Sequence, residues 1–289
     1  MKKIFVKDIF SLVDVIKEEI SKKGPACDLN FIDVSQLSDL SRLFSCEDLR
    51  QFNGDISKWD VSNVRDMSYM FSESDFNGDI SSWNVSNVKN MSAMFRGSKF
   101  NGSLETWDVS NVKNMSAMFS ITDFNGNISE WNVKNVWYMD EMFAGNFCFN
   151  GDLSKWNTSN VRSMSWMFNG TVFNGDISKW NTSKLRNMSW MFSQSLFDGD
   201  ISEWDVSNVL QMEGIFCNSL KFNGNISSWN VSNVEDMSHM FEGSVFNGDL
   251  SSWNVSNVED MSYMFFKSKY NGDINKWKIS GNTDRYSMF

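Results

Sequence analysis

One histidine, His239, four cysteines, Cys27, Cys46, Cys148 and Cys217, and a recurring aspartate are the residues with which this 289-residue chain would do chemistry. An enzyme needs a nucleophile, a base and a charge-stabilising group that converge. His239 fills a slot that Tyr69, Ala93, Glu141 and Gly214 fill elsewhere in the chain. That is the behaviour of an exposed spacer, not of a general base. The cysteines form no CxxC pair, and one histidine is all that could join them, so a structural zinc site lacks ligands. They read as free thiols of a reducing compartment, with Cys27 and Cys46 placed to pair if the chain is exported. Asp55, Asp79, Asp152, Asp176, Asp200, Asp249 and Asp273 recur after an Asn-Gly or Asp-Gly pair. Stacked, they would form a ladder of the kind that holds calcium in other β-solenoids. Ser103, Asn127 and Asn225 interrupt that ladder, and turn capping is the better reading. The chain is expected to be no enzyme and to need no metal or cofactor.

Recognition chemistry is better represented. Thirteen tryptophans are present. Ten of them, Trp59, Trp83, Trp107, Trp131, Trp156, Trp180, Trp204, Trp229, Trp253 and Trp277, recur at one fixed position, which marks a structural core. The other three, Trp137, Trp166 and Trp190, fall outside that register, with Tyr138 and Leu210 beside them. Clustered aromatic side chains on a surface are what protein interfaces use as anchors. Three readings stay open for them: a partner-binding patch, a self-association patch, or packing between neighbouring coils.

The element that positions all of these is a repeat. FNGDISxWNVSNVxxMSxMF recurs ten times, opening at Phe52, Phe76, Phe100, Phe124, Phe149, Phe173, Phe197, Phe222, Phe246 and Tyr270. The period is 24 residues, stretched to 25 before Phe149 and Phe222. Each copy reads as one coil of an α/β repeat solenoid. Asn77-Gly78 is a turn pair, and Trp83 and Val85 share one face of a short parallel strand. Ser86 is placed as the N-cap of a short helix, with capping boxes at Ser232 to Glu235 and Ser256 to Glu259. Val88, Met91, Met94 and Phe95 have the spacing of that helix's inner face. Neither element buries its apolar face alone, so the coils must stack, into a rod or shallow arc roughly 50 Å long.

Four units follow along one continuous domain. Residues 1–26 carry an N-terminal capping helix, with Phe5, Ile9, Leu12, Val13, Ile16 and Ile20 as its apolar stripe and Gly24-Pro25 as its stop. Residues 27–51 are a degenerate first coil, 52–269 hold nine regular repeats, and 270–289 form a C-terminal capping repeat. In that last repeat Asn282 and Arg285 replace the helical Val and first Met, and Lys276 and Lys278 protect the open edge.

Two outward columns follow from the helix wheel. The first reads Arg65, Lys89, Lys113, Trp137, Arg162, Arg186, Leu210, Glu235, Glu259. The second reads Tyr69, Ala93, Ala117, Glu141, Trp166, Trp190, Gly214, His239, Tyr263. The first column changes sign along the rod, which would favour staggered assembly if the charge has a role. A weaker candidate surface lies on the strand face, where Glu130, Lys155, Lys179 and Glu203 vary in charge.

The repeat as it stands in FNGDISSWNVSNVKNMSAMF, residues 76–95, resembles that of the BspA-like surface proteins, also seen in mycoplasma lipoproteins. The resemblance covers about residues 27–289. It implies a leucine-rich-repeat-like β/α solenoid and a role in adhesion or host-protein binding at the cell surface. It carries no catalytic motif. The chain departs from surface members in having neither signal peptide nor lipobox cysteine: Met1-Lys2-Lys3 begins like a leader, but Lys7, Asp8 and Asp14 break it. Surface or secreted and cytoplasmic locations therefore both stay open.

The remaining exclusions come from charge and hydropathy. With 26 Lys and Arg against 36 Asp and Glu, the net charge is −10, which disfavours a nucleic-acid or anionic-membrane partner. No apolar run reaches the roughly 18 residues of a membrane span. The expected function is a non-enzymatic protein–protein interaction solenoid. The alternatives are a structural or self-assembling repeat protein and an acidic inhibitor or mimic.

Overall fold

The structure, a computed structural model, describes residues 3–289; the first two residues of the leader-like run lie outside it. A short strand β1 (Ile4–Phe5) leads into helix α1 (Ile9–Lys23), and β1 pairs in parallel with β2 (Ile32–Asp33) in the first coil. Helix α1 starts at Asp8, whose carboxylate accepts from the Ser11 amide at 2.8 Å while Ser11 closes a capping box. It ends at Gly24, where φ is +85°. Leu12 and Ile16 are buried against the first coil, with Ile9, Val13 and Ile20 packed around them. Phe5 departs from the expected stripe. As a residue of β1, outside the helix, it is 74% exposed.

From residue 28 onward successive repeats stack in parallel. Single bridges join them one to the next through Asp39, Asp66, Asn90, Asn114, Tyr138, Ser163, Asn187, Gln211, Asp236, Asp260 and Asp284. The expected helix per coil does not form, and the expected strand at Trp83–Val85 is not where the coils pair. In its place residues 91–98 form a ribbon of turns. The amides of Met91, Ala93, Phe95 and Gly97 donate to carbonyls of the next coil, at 2.9, 2.7, 3.1 and 2.9 Å. Those of Met94, Arg96 and Ser98 fold back three residues, at 3.2, 3.2 and 3.0 Å. Ala93 (φ +53°) and Gly97 (φ +64°) are left-handed, and the same two positions are left-handed in almost every coil. A left-handed residue every fourth position cannot belong to a right-handed helix.

Local side chains favour the ribbon. Asn90 accepts from the Ser92 amide at 3.1 Å, as Asn84 does from Ser86 at 3.2 Å. These Asx turns occupy donors that a helix would aim along its axis. Ser86 therefore sits inside a turn, and no helix follows for it or for Ser232 and Ser256 to cap. In either conformation Met91, Met94 and Phe95 point inward, and all three are fully buried.

The interior is three aromatic columns. Phe76 stacks on Phe100 at 6.4 Å, Phe71 on Phe95 at 5.7 Å and Trp59 on Trp83 at 6.5 Å, each pair within 4° of parallel. Phe71 and Phe76 interleave at 4.3 Å. Each repeat tryptophan also donates its indole N–H to a carbonyl of the preceding coil, as Trp131 does to Leu104 at 3.0 Å. At the far end Trp277 and Met288 close the core. Thr283, not Asn282, takes the buried place of the repeat Val and donates to the Val258 carbonyl at 2.7 Å.

Candidate functional site

The two surface columns sit on different supports. The first runs beside the parallel bridges. There Arg186 donates its amide to the Arg162 carbonyl at 2.9 Å, Leu210 to Arg186 at 2.9 Å and Glu235 to Leu210 at 2.8 Å. Its side chains are thus spaced by a rail of coil-to-coil hydrogen bonds. Trp137 stands on this rail, 37% exposed, with Lys113 and Arg162 each 5.1 Å from its ring centre. A cation lies over the ring on each flanking coil.

Tyr138, next to it and 40% exposed, occupies a position where other coils carry the Asx-turn acceptor. Ser163 in the following coil lacks that acceptor too. Asp140 substitutes for the acceptor missing at Ser163: its carboxylate accepts from the Ser165 amide at 3.0 Å and from the Ser163 and Ser165 hydroxyls. A groove opens beside Tyr138, edged by Arg162, Lys184, Arg186, Asn187 and Asn208. Lys184 marks a break in an asparagine ladder. Asn160 and Asn208 donate to a carbonyl of the preceding coil at 2.8 Å, whereas Lys184 reaches the Asn160 side chain at 2.6 Å.

The second column lies on the turn ribbon, at its left-handed residues. Trp166 (φ +59°) is 38% exposed, and Trp190 (φ +59°) is half-buried. Their rings stack at 5.0 Å. Trp190 then lies over Gly214, where an added Cβ would fall 2.4 Å from its ring. By crossing that glycine it comes within 5.9 Å of His239, two coils on. His239 stacks on Tyr263 at 4.9 Å, and Tyr263 meets Tyr286 edge-on at 5.4 Å.

His239 is thus no exposed spacer. It is half-buried between two aromatic rings, with Nδ1 2.5 Å from Glu242. The signal for this was present in the sequence: His239 and Tyr263 occupy the same column as Trp190, with only Gly214 between. Trp137 does not join them. Among the described residues no aromatic ring stacks on it and two cations flank it, so the three non-core tryptophans divide between two surfaces. Leu210 is half-buried on the rail, between Arg186 and Glu235 in the stack.

A family model described as mycoplasma protein of unknown function, DUF285, matches residues 16–122, 97–199 and 193–289 in tandem. The chain belongs to this family. Neither a curated protein nor a solved structure matches it. The three matched segments span the whole stack and the end of α1, so both columns are built on family repeats.

The weaker candidate residues of this family member line one column over four successive coils. Lys155 and Glu130 form an exposed ion pair, an interaction of small energy. Lys179 and Glu203 are exposed in the next two coils. The ten repeat tryptophans are buried, none more than 7% exposed.

The recurring aspartates are turn acceptors. Asp79 takes the Ser81 amide at 2.9 Å and its hydroxyl at 2.7 Å. Those hydrogen bonds, the hydroxyl's foremost, hold its carboxyl below the usual range. The Ser57 amide does the same for Asp55. Among the described residues no three His, Cys, Asp or Glu side chains gather as metal ligands, and no helix is long and apolar enough to cross a membrane. All four cysteines are free thiols, with Cys27 and Cys217 buried and Cys46 and Cys148 exposed. Burial pushes the Cys217 thiol up to about 11.

Proposed function

We propose that this chain is a non-enzymatic protein-binding solenoid of the leucine-rich-repeat-like kind, acting in adhesion or host-protein binding. Its contact surface is the aromatic column from Trp166 through Trp190, His239 and Tyr263. One observation carries the reading. These four residues occupy left-handed backbone positions (φ +57° to +59°), where a bulky side chain is an outlier and glycine is unstrained. The same slot holds Gly214 and two alanines, so the stack does not require an aromatic there. Aromatic residues accepted at a strained, partly exposed position fit a role in contact.

The test is direct binding to purified extracellular-matrix and serum proteins immobilised one by one. Saturable binding that weakens about thirtyfold or more in Trp166→Ser/Trp190→Ser, with the unfolding midpoint little changed, is the expected outcome. Equal binding by wild type and variant would remove the column from the function. No binding to any of them would sink the adhesion reading.

A further inference from the structure

The rail carries a second surface with its own logic. From Arg162 the column reads Arg162, Arg186, Leu210, Glu235, Glu259. It is antisymmetric in charge: two cations, an apolar centre and two anions. All four charged side chains are exposed, and among the described residues none of them is in an ion pair. The flanking bridge column strengthens the contrast, with Ser163 and Asn187 beside the arginines and Asp236 and Asp260 beside the glutamates.

We propose that two copies of this chain pair antiparallel along the rail, about a twofold axis at Leu210. Arg186 then meets the second copy's Glu235, Arg162 meets its Glu259, and the same two contacts recur on the other side of the axis. The fit follows from the stacking. Backbone hydrogen bonds of 2.9, 2.9, 2.8 and 2.7 Å link the five residues coil to coil. The steps on either side of Leu210 are therefore alike, and a copy turned by 180° presents opposite charges at matching distances. Leu210 meets Leu210 at the centre, where no charge is stranded.

A parallel pairing in register sets like charges face to face. A staggered parallel pairing satisfies only one end of each chain and leaves an open polymer. The antiparallel arrangement satisfies both ends and closes. Arg162 remains available while stacked on Trp137, because its N–H donors lie in the guanidinium plane. The contact is one rail wide, smaller than a standard stable interface. It is held mainly by exposed charge, so the dimer is weak and dissociates as salt rises.

Sedimentation at low salt tests this in the full chain. The wild type should approach twice its 33.3 kDa mass with rising concentration and return to monomer at high salt. Arg162→Glu/Arg186→Glu and Glu235→Arg/Glu259→Arg should each be monomeric alone and should pair when mixed. The fourfold swap should dimerise with itself. Leu210→Cys, in a Cys46→Ser/Cys148→Ser background, should oxidise to a disulfide-linked dimer, whereas Lys89→Cys in that background should not. A wild type that stays monomeric at low salt overturns the proposal. So does a mixture of the two double variants that fails to pair, or an open polymer in place of a dimer. The aromatic column is untouched by these changes, so this surface and the adhesion surface fail or stand separately.

Discussion

Ten tryptophans are buried inside this molecule and two stack on its surface, all built on the same repeat. Inside, each ring is buried and each indole N–H has a carbonyl in the preceding coil, as between Trp180 and Leu153 at 3.0 Å. Outside, Trp166 and Trp190 stack more closely, at 5.0 Å against 6.3 Å for Trp180 and Trp204 inside, but Trp166 stays exposed and the backbone beneath both is left-handed. Stacking alone therefore does not separate core aromatics from surface ones. What separates them is whether the fold would lose anything by their removal.

Trp131→Ala is the largest break of that comparison. It opens a cavity in the aromatic column and strips the Leu104 carbonyl of its donor. The expected cost is about 3–5 kcal/mol, read as a lower unfolding midpoint in denaturant. Because each coil contacts only its neighbours, the transition should also broaden as the stack separates around the defect. A cost below about 1 kcal/mol would mean that the repeat tryptophan is not core.

Gly214→Ala comes next, and it joins the two regions. The new Cβ would meet Trp190 at 2.4 Å, at a residue with φ of +57°. Overpacking and backbone strain together should cost about 1–3 kcal/mol, and the Trp190 ring must lift from its path toward His239. Quenching of Trp190 emission by His239 should change in the same variant. An unchanged emission spectrum would show that the aromatic column does not run through Gly214.

Much of this was legible in the sequence, and the limit has a physical cause. The period, the Trp column and the capping helix follow from residue positions alone, because stacking puts equivalent residues in contact. The turn ribbon was not legible from spacing. Apolar residues at 88, 91, 94 and 95 face inward on a helix, and they also face inward on a ribbon that folds back every third residue. The deciding information was the Asn or Asp two residues before a Ser, repeated at 79, 84 and 90. Three Asx turns in one coil leave no room for regular structure. The error had a consequence at the surface. A helix wheel puts 137 and 166 in adjacent outward columns of one face, whereas the ribbon separates the cation-flanked Trp137 from the Trp166–Trp190 pair.

Trp166→Ala sharpens the contrast with Trp131. It removes one half-exposed ring and a stacking partner, and it leaves no buried polar group unpaired. The loss should be about 0.5–1.5 kcal/mol, offset in part by relief at a left-handed position. The difference between the two Trp→Ala midpoints is the measurement. Equal midpoints would place Trp166 in the core and remove the ground for a binding role.

The smallest expected effect concerns the turn aspartates, and its sign is set by linkage. The carboxyls of Asp79, Asp176 and Asp200 are held below 3.8 in the folded chain by hydrogen bonds from the serine two residues on. A folded value below the unfolded one stabilises the fold above pH 3.8, and that stabilisation drains away as pH falls through the folded value. Asn127 and Asn225 already fill the same slot and accept the same serine amide, both at 3.1 Å. Asparagine makes that turn without titrating. Asp79→Asn/Asp176→Asn/Asp200→Asn should therefore match the wild type at neutral pH and fall less steeply below pH 3.8, measured as unfolding midpoint against pH. A variant that is clearly less stable at pH 7, yet parallel to the wild type in acid, would mean that the carboxylate charge has a role beyond the turn. The ladder would then have to be read as a surface of its own.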